Sequence, residues 1–313
     1  MTNSNFSIYS FYRFCRIASK EQLKNKIEEL INNFSVKGTI LLADEGINGT
    51  IAGKKNELNL ILKSLKKFLR IRKIDFKENE ANQIPFNRMK VRLKKEIVSL
   101  GQGKINVRQL TGIYLNTEEW EDLISRNNTK IIDVRNNFEI KIGKFKNAIN
   151  PKTSSFKEFP ESFAKLKINK NDNIAMYCTG GIRCEKASSY LKKNGYKNVF
   201  QLKGGILNYL KEKKKMKTPS FWNGSCFVFD ERVAINKNLK KGSFIQCYGC
   251  RRPIKQKDTY SQKYLKGVSC PYCFDERNEI QKSRSRSRQA QIDRAKKNKI
   301  PNIFLKNNSV NHF

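Results

Sequence analysis

Between residues 7 and 100, short apolar runs alternate with stretches whose apolar positions recur every three or four residues. Ile8-Tyr9-Ser10-Phe11-Tyr12-Arg13-Phe14 has the pattern of a strand. Ser19 stands where it caps a helix carrying Leu23, Ile27, Leu30 and Ile31 on one face. Residues 38–43 predict a second strand, 44–49 a turn, and 50–53 the partner strand of a hairpin. Leu58, Ile61, Leu62, Leu65 and Leu69 mark a second helix, and 74–77 and 89–93 are further strands. Two helices against a small antiparallel sheet predict a ferredoxin-like α+β domain over residues 1–105. Gly101-Gln102-Gly103-Lys104 reads as a linker, too short and out of context for a dinucleotide loop.

Residues 114–215 change rhythm. Thr117 is placed to cap a short helix over 118–124, and Lys130-Ile131-Ile132-Asp133-Val134-Arg135 is a buried strand that ends in charge. Asn173-Ile174-Ala175-Met176-Tyr177 is a second buried strand, followed by a glycine-containing loop over 178–185 and a helix over 186–191. Residues 198–202 form a strand again, and 204–210 start a last helix. Strands alternating with helices predict a parallel α/β sheet. Sites in such sheets form beyond the carboxyl ends of the strands, where Asp133, Arg135 and Cys178 all fall. Residues 216–313 hold less apolar material: two Cys-x-x-Cys pairs, then a charged, helix-compatible tail.

Charge adds a partner to this picture. Of 313 residues, 64 are Lys or Arg and 28 are Asp or Glu, for a formal net charge of +36. Such a field captures polyanions, and drift toward lysine-rich composition does not account for the shortage of carboxylates. Nucleic acid is the expected polyanion. No apolar run is long enough to span a bilayer, and the first six residues lack a basic region followed by an apolar one. The expectation is a cytoplasmic chain without membrane attachment. Its eight cysteines are then reduced, and read as catalytic or metal-binding before disulfide-forming.

Cys178 is the candidate functional thiol. It ends a buried strand above a loop, Thr179-Gly180-Gly181-Ile182-Arg183, that runs into a helix N-terminus. Free backbone N–H groups and the positive end of the helix dipole favour an anion there, and Arg183 adds a fixed charge. These effects lower a thiol pKa and make the sulfur a nucleophile or a sulfur carrier. Arg183 is otherwise a phosphate contact or a plain surface arginine. Cys184 either resolves an oxidised or persulfidated Cys178 or packs inward as a core thiol. Asp133 and Arg135 read as an ion pair shaping the floor of the loop.

Cys247, Cys250, Cys270 and Cys273 have the spacing of a four-thiolate zinc site, which would stabilise a segment too poor in apolar residues to fold alone. Four free thiols or a redox dithiol pair is the competing reading. The tail over 277–299, with its Ser-Arg repeat, is a phosphate-binding arm or a solvated helix. Tyr248, Tyr260, Tyr264 and Tyr272 are stacking platforms for unpaired bases or the core of the small region. The only histidine is His312, so a two-histidine iron site and a Ser-His-Asp or Cys-His pair are excluded within one chain. No G-x-G-x-x-G follows a strand, which leaves a Rossmann-bound flavin or nicotinamide without support.

Asp133-Val134-Arg135, then Cys178 in its six-residue loop, then Leu202-Lys203-Gly204-Gly205-Ile206 resemble, in that order, the rhodanese domain. In that family the loop cysteine carries a persulfide cradled by loop amides. Where it usually has histidine-isoleucine, this chain reads IGKFKNAIN over 142–150. A narrower resemblance covers almost the whole chain. GTILLADEGINGTIAG over 38–53, Asn150-Pro151-Lys152-Thr153 with Phe156-Lys157-Glu158-Phe159-Pro160, the loop 178–185, and Phe229-Asp230-Glu231-Arg232-Val233 are similar to the bacterial oxygen-dependent tRNA uridine hydroxylase family. That resemblance implies conversion of wobble uridine to 5-hydroxyuridine, with Cys178 as the catalytic residue. It also implies molecular oxygen and a reductant as co-substrates and the tRNA anticodon arm as partner. The expected geometry puts the sulfur within reach of a flipped-out pyrimidine. A sulfurtransferase using the same cysteine and a non-catalytic RNA-binding rhodanese module are the alternatives.

Overall fold

The computed structural model describes residues 6–103 and 105–299. Residues 1–5, Lys104 of the expected linker and His312 lie outside the described residues. No helix among those described is long and apolar enough to cross a membrane.

The first domain runs β1 (Phe6–Phe14), α1 (Lys20–Asn32), β2 (Lys37–Ala43), β3 (Gly46–Gly53), α2 (Lys55–Phe68), β4 (Asp75–Ala81) and β5 (Met89–Leu93). The sheet order is β4-β1-β3-β2-β5, antiparallel except for the β2/β5 edge. This is a ferredoxin-like α+β sheet with one strand added. Leu23, Ile27 and Ile31 of α1 and Leu58, Ile61, Leu62 and Leu65 of α2 share a core with Tyr9, Phe11, Ile40, Ile47 and Ile51. The three- and four-residue spacing of those positions is what makes one face of each helix apolar.

Two local expectations are revised. The β2–β3 turn is only Asp44-Glu45, because Ala43 pairs with Gly46. Gly46 lies in the sheet because the β1 backbone comes close there: a Cβ on it would sit 2.1 Å from the Arg13 carbonyl oxygen. Ser19 occupies the cap position of α1, but its side chain makes no capping bond.

The second domain comprises β6 (Ile113–Leu115), α3 (Thr117–Ser125), β7 (Thr129–Asp133), α4 (Asn137–Ile140), β8 (Gly143–Phe145), α5 (Phe159–Ala164), β9 (Asn173–Tyr177), α6 (Ile182–Lys193), β10 (Val199–Leu202) and α7 (Gly205–Met216). Its sheet, β6-β10-β9-β7, is parallel throughout. Alternation along β9 feeds both faces. Ala175 and Tyr177 pack with Trp120, Ile206 and Tyr209, whereas Ile174 and Met176 pack with Phe159, Phe163 and Leu191. The cap of α3 is Asn116 and not Thr117. The Asn116 side chain accepts from the Glu119 N–H at 2.9 Å, and Glu119 accepts from the Asn116 N–H at 2.8 Å.

The remainder forms β11 (Trp222–Gly224), β12 (Cys226–Phe227), β13 (Ala234–Ile235), β14 (Ile245–Gln246), β15 (Pro253–Ile254) and α8 (Glu279–Lys297). β11 pairs with β8, and Trp222, Cys226, Val228 and Ile235 are part of the rhodanese-side core. The Cys-x-x-Cys unit has its own small cluster, built on Cys247, Ile254, Cys270 and Cys273.

The first two domains meet along α6. Lys186 is 1% exposed and pairs with Glu45 at 2.8 Å and with Glu96, both in the segment led by the first domain. Tyr12 of β1 donates to Glu185 at 2.9 Å. Lys186→Ala would leave two partly solvated carboxylates facing each other. The expected loss is about 2 kcal/mol, below that of a fully buried broken pair. Urea unfolding measures it, and limited proteolysis should show new cleavage between residues 94 and 112.

Candidate functional site

β9 ends at Tyr177 and α6 begins at Ile182, so four residues make the turn that carries Cys178. Gly181 takes φ +102°, a conformation that side chains other than hydrogen rarely adopt. That conformation lets its N–H donate to Cys178 Sγ at 3.1 Å. The first turn of α7 holds the other side: the Ile206 and Leu207 N–H groups donate to the Cys178 and Thr179 carbonyls at 3.0 and 3.1 Å.

The expected cradle residues divide their labour. Gly181 supplies the amide. Gly180 turns its carbonyl outward to Lys77 of β4. The Thr179 hydroxyl faces Glu139 and Arg183, at 3.4 and 3.5 Å, and Ile182 opens the helix. Arg183 is not a surface arginine: it makes a two-pronged contact with the buried Glu139 at 2.6 and 2.8 Å. Burial pushes the Cys178 thiol up. The Cys184 thiol's hydrogen bond, the Arg183 charge and the Cys184 and Gly181 amides outweigh that effect and hold it at about 5. Burial and the same bond to Cys178 push the Cys184 thiol well above its usual range. Cys184 is fully buried and packs inward.

Asp133 and Arg135 are both fully buried, with contacts of 2.9 and 2.6 Å. Tyr177 donates to Asp133 at 2.5 Å, and Arg135 also donates to the Gly143 carbonyl at 2.7 Å and lies 5.0 Å from the Trp222 ring centre. The pair ties the end of β7 to β8 and β11.

The sulfur is enclosed, not open: Cys178 is 1% exposed. Its loop is covered by Tyr12 and Lys77 of the first domain. This revises the expectation of ready access for a pyrimidine. A cavity of about 460 Å³ lies between α4 and the Cys-x-x-Cys unit, walled by Asn137, Phe138, Lys141, Lys255 and Tyr272, and Cys178 does not line it. Phe229, in the segment after β12, is 65% exposed with the Arg183 guanidinium 6.0 Å from its ring centre.

Sequence reading missed Glu139, Glu185, Tyr12 and Lys77. Asn136 followed by Glu139 has the capping spacing that the structure uses, at 3.1 Å. That signal places Glu139 on a helix start but says nothing of Arg183. Tyr12 and Lys77 carry no local signal, since their partners lie in another domain.

The four remaining candidate cysteines come together: the sulfurs of Cys247, Cys250, Cys270 and Cys273 lie within 4.8 Å of one another. Cys247–Cys273 and Cys250–Cys270 are 3.9 Å apart, and Cys270–Cys273 is 3.7 Å. Sulfurs about 2.3 Å from a central ion in a tetrahedron are about 3.8 Å apart, so the set fits such a centre. The tail is helical and partly docked on this unit. Arg277 donates to the Gly249 carbonyl, and Arg288 to those of Tyr248 and Gly267 at 2.9 and 3.2 Å. Arg284, Arg294, Lys296 and Lys297 stay exposed. Tyr264 packs on the small core, whereas Tyr248, Tyr260 and Tyr272 are exposed.

The parallel sheet with the cysteine loop at its carboxyl edge belongs to a rhodanese-like domain, which residues 116–212 match. Residues 6–97 match the UPF0176 acylphosphatase-like domain. The pairing of the two, in that order, is consistent with the UPF0176 family. Among solved structures, a rhodanese-related protein from Thermoplasma volcanium is 25% identical over 32% of this chain and 92% of its own, with a TM-score of 0.28. A polysulfide-sulfur transferase homodimer from Wolinella succinogenes is 25% identical over 32% of this chain and 74% of its own, with a TM-score of 0.29. A rhodanese-like domain protein from Staphylococcus aureus is 26% identical over 31% and 90%, with a TM-score of 0.26.

Glu139→Gln would leave the Arg183 guanidinium buried without its counter-charge. The expected cost is about 3 kcal/mol in denaturant unfolding, whereas a shift under a few tenths would mean that the pair contributes no cohesion.

Proposed function

We propose that this chain is a cytoplasmic tRNA-modifying enzyme that hydroxylates wobble uridine to 5-hydroxyuridine, with Cys178 as the reacting thiolate. The observation that carries this reading is the Cys178 sulfur receiving the Gly181 N–H at a glycine turn beside the buried Arg183, on a chain with a net charge of +36. Addition of the sulfur to C6 of uracil makes C5 electron-rich. One atom of molecular oxygen is then transferred to C5, and the other leaves as water with two electrons and two protons from a reductant. Loss of the C5 proton and departure of the thiolate restore the ring. A thiolate at about 5 is ionised at neutral pH, and is both a competent nucleophile and a good leaving group. The enclosed sulfur requires that the cover of Tyr12 and Lys77 withdraw when tRNA docks.

The second reading is a sulfurtransferase that carries a persulfide on Cys178. The 1% exposure of that residue favours it, since a small sulfur donor needs less opening than a nucleotide. One experiment separates the two. A strain lacking the gene is complemented with wild type or Cys178→Ser, and its tRNA nucleosides are analysed by mass spectrometry. Loss of 5-hydroxyuridine derivatives with the serine variant is expected. Loss of a thiolated base instead selects the carrier, and unchanged nucleosides overturn the hydroxylase and point to a non-catalytic RNA-binding module.

The Cys-x-x-Cys unit is proposed to hold a structural zinc through Cys247, Cys250, Cys270 and Cys273. It would present the exposed tyrosines and the outward basic residues of α8 to the anticodon arm. Metal analysis should find about one zinc per chain, and a chelator should unfold this unit. A metal-free chain with the same melting profile would remove the assignment.

A further inference from the structure

Lys77 sits on β4, paired across to Ser10 of β1, at the edge of the first domain's sheet. Its ammonium leaves its own domain and donates to two carbonyls of the second, those of Gly180 and Gly204. Gly180 belongs to the Cys178 loop. Gly204 is the left-handed residue (φ +77°) immediately before α7, whose amides hold the Cys178 and Thr179 carbonyls. A single cation thus ties together the two turns that wrap the sulfur.

The Gly180 carbonyl and the Gly181 N–H belong to one peptide unit. That unit is planar and trans, so its C=O and N–H point in opposite directions. Lys77 binds the oxygen, and the N–H on the far side of the same plane meets Cys178 Sγ at 3.1 Å. Turning that plane over would replace a donor with a carbonyl oxygen facing the sulfur anion. Glycine at position 181 makes such a rotation sterically easy. The peptide therefore needs an external restraint, and Lys77 is in place to supply it.

Charge acts in the same direction. The two acceptors of the ammonium are neutral, and the group that contributes most to stabilising its charge is the Cys178 sulfur, ahead of Cys184, Cys226 and Asp75. Desolvation brings Lys77 down to about 8, so it stays mostly protonated at pH 7. The other groups around Cys178 are Cys184 and Arg183 of α6 and Tyr12 of β1, and Cys226 of β12 acts on Lys77. Glu139 lies behind Arg183, and Glu185 behind Tyr12.

We propose that Lys77 is a positioning residue of the rhodanese site, lent by the neighbouring domain. It fixes the Gly180–Gly181 peptide with its N–H toward the sulfur, and it provides counter-charge for the Cys178 anion. The inference rests on the reading that Cys178 is the reacting thiolate. It gives the union of the two domains a chemical purpose: the first domain completes the electrostatics of the second.

The test is the pH dependence of Cys178 alkylation by iodoacetamide in the full chain, read by mass spectrometry of the Cys178 peptide, in wild type, Lys77→Met and Lys77→Arg. The midpoint is the readout, because uncovering the loop raises the plateau rate and, by hydrating the sulfur, would move the midpoint down, opposite to the shift expected from losing the charge and the restraint. Wild type should titrate at about pH 5. Lys77→Met should move the midpoint up by about one unit or more, roughly a tenfold change in the ionisation constant. Lys77→Arg, which keeps both charge and donors, should stay close to wild type. If Lys77→Met fails to fold, Lys77→Gln serves, since it keeps a donor and removes the charge, and the same upward shift is expected. A wild-type midpoint at about 5 that neutral variants leave unmoved overturns the role of Lys77 and spares the thiolate reading. A sulfur that stays unreactive at neutral pH both in wild type and in Lys77→Met, whose loop is uncovered, overturns both.

Discussion

A sulfur anion without water has to be satisfied by the protein on every side, and much of this molecule is arranged around that requirement. A desolvated thiolate is unfavourable unless donors and positive charge converge on it. Here they come from one short stretch, the glycine turn and the first turn of α6. Gly181 offers an amide from a left-handed turn, Cys184 a protonated thiol from the first turn of α6, and Arg183 a charge shared with Glu139. The Arg183–Glu139 pair moderates the field: an arginine without its carboxylate would be costly to bury, and one fully neutralised would do little for the sulfur.

The same helix explains how the two domains are joined. Arg183, Glu185, Lys186, Ser188 and Ser189 are all buried on α6, where a solvated helix would expose them. Each finds a partner. Glu185 takes bonds from Tyr12 and Tyr114 at 2.9 and 2.8 Å, Ser188 accepts from the Gly112 N–H at 2.9 Å, and Lys186 lies between Glu45 and Glu96. Buried pairs of this kind add little net stability over apolar packing but penalise any other docking angle. The interface therefore fixes orientation, and orientation decides that Tyr12 and Lys77 stand over the cysteine loop.

The C-terminal unit solves a different problem, a segment with little apolar surface. Four sulfurs gather at tetrahedral spacing, and α8 is fastened by Asn278 capping and by arginines bound to backbone carbonyls. Part of the basic tail is therefore structural. Arg277 and Arg288 hold the unit together, while Arg284, Arg294, Lys296 and Lys297 face outward. Composition cannot separate these groups, because both consist of arginines and lysines on one helix.

Periodicity settled what local physics controls. The apolar spacing of α1 and α2, the buried runs of β7 and β9, and the strand–loop–helix signature at Cys178 each follow from residues within a dozen positions of one another. The paired Cys-x-x-Cys spacing likewise brought four sulfurs together as written. Tertiary structure alone decided that Arg183 belongs to Glu139, that residues 222–228 complete the rhodanese core, that the Cys178 sulfur is covered, and that a lysine from the other domain orients its loop. The physical reason is distance along the chain. Helix and strand signals are short-range and repeat, whereas a buried charge is satisfied by whichever partner folding brings to it, and single residues leave no pattern to read.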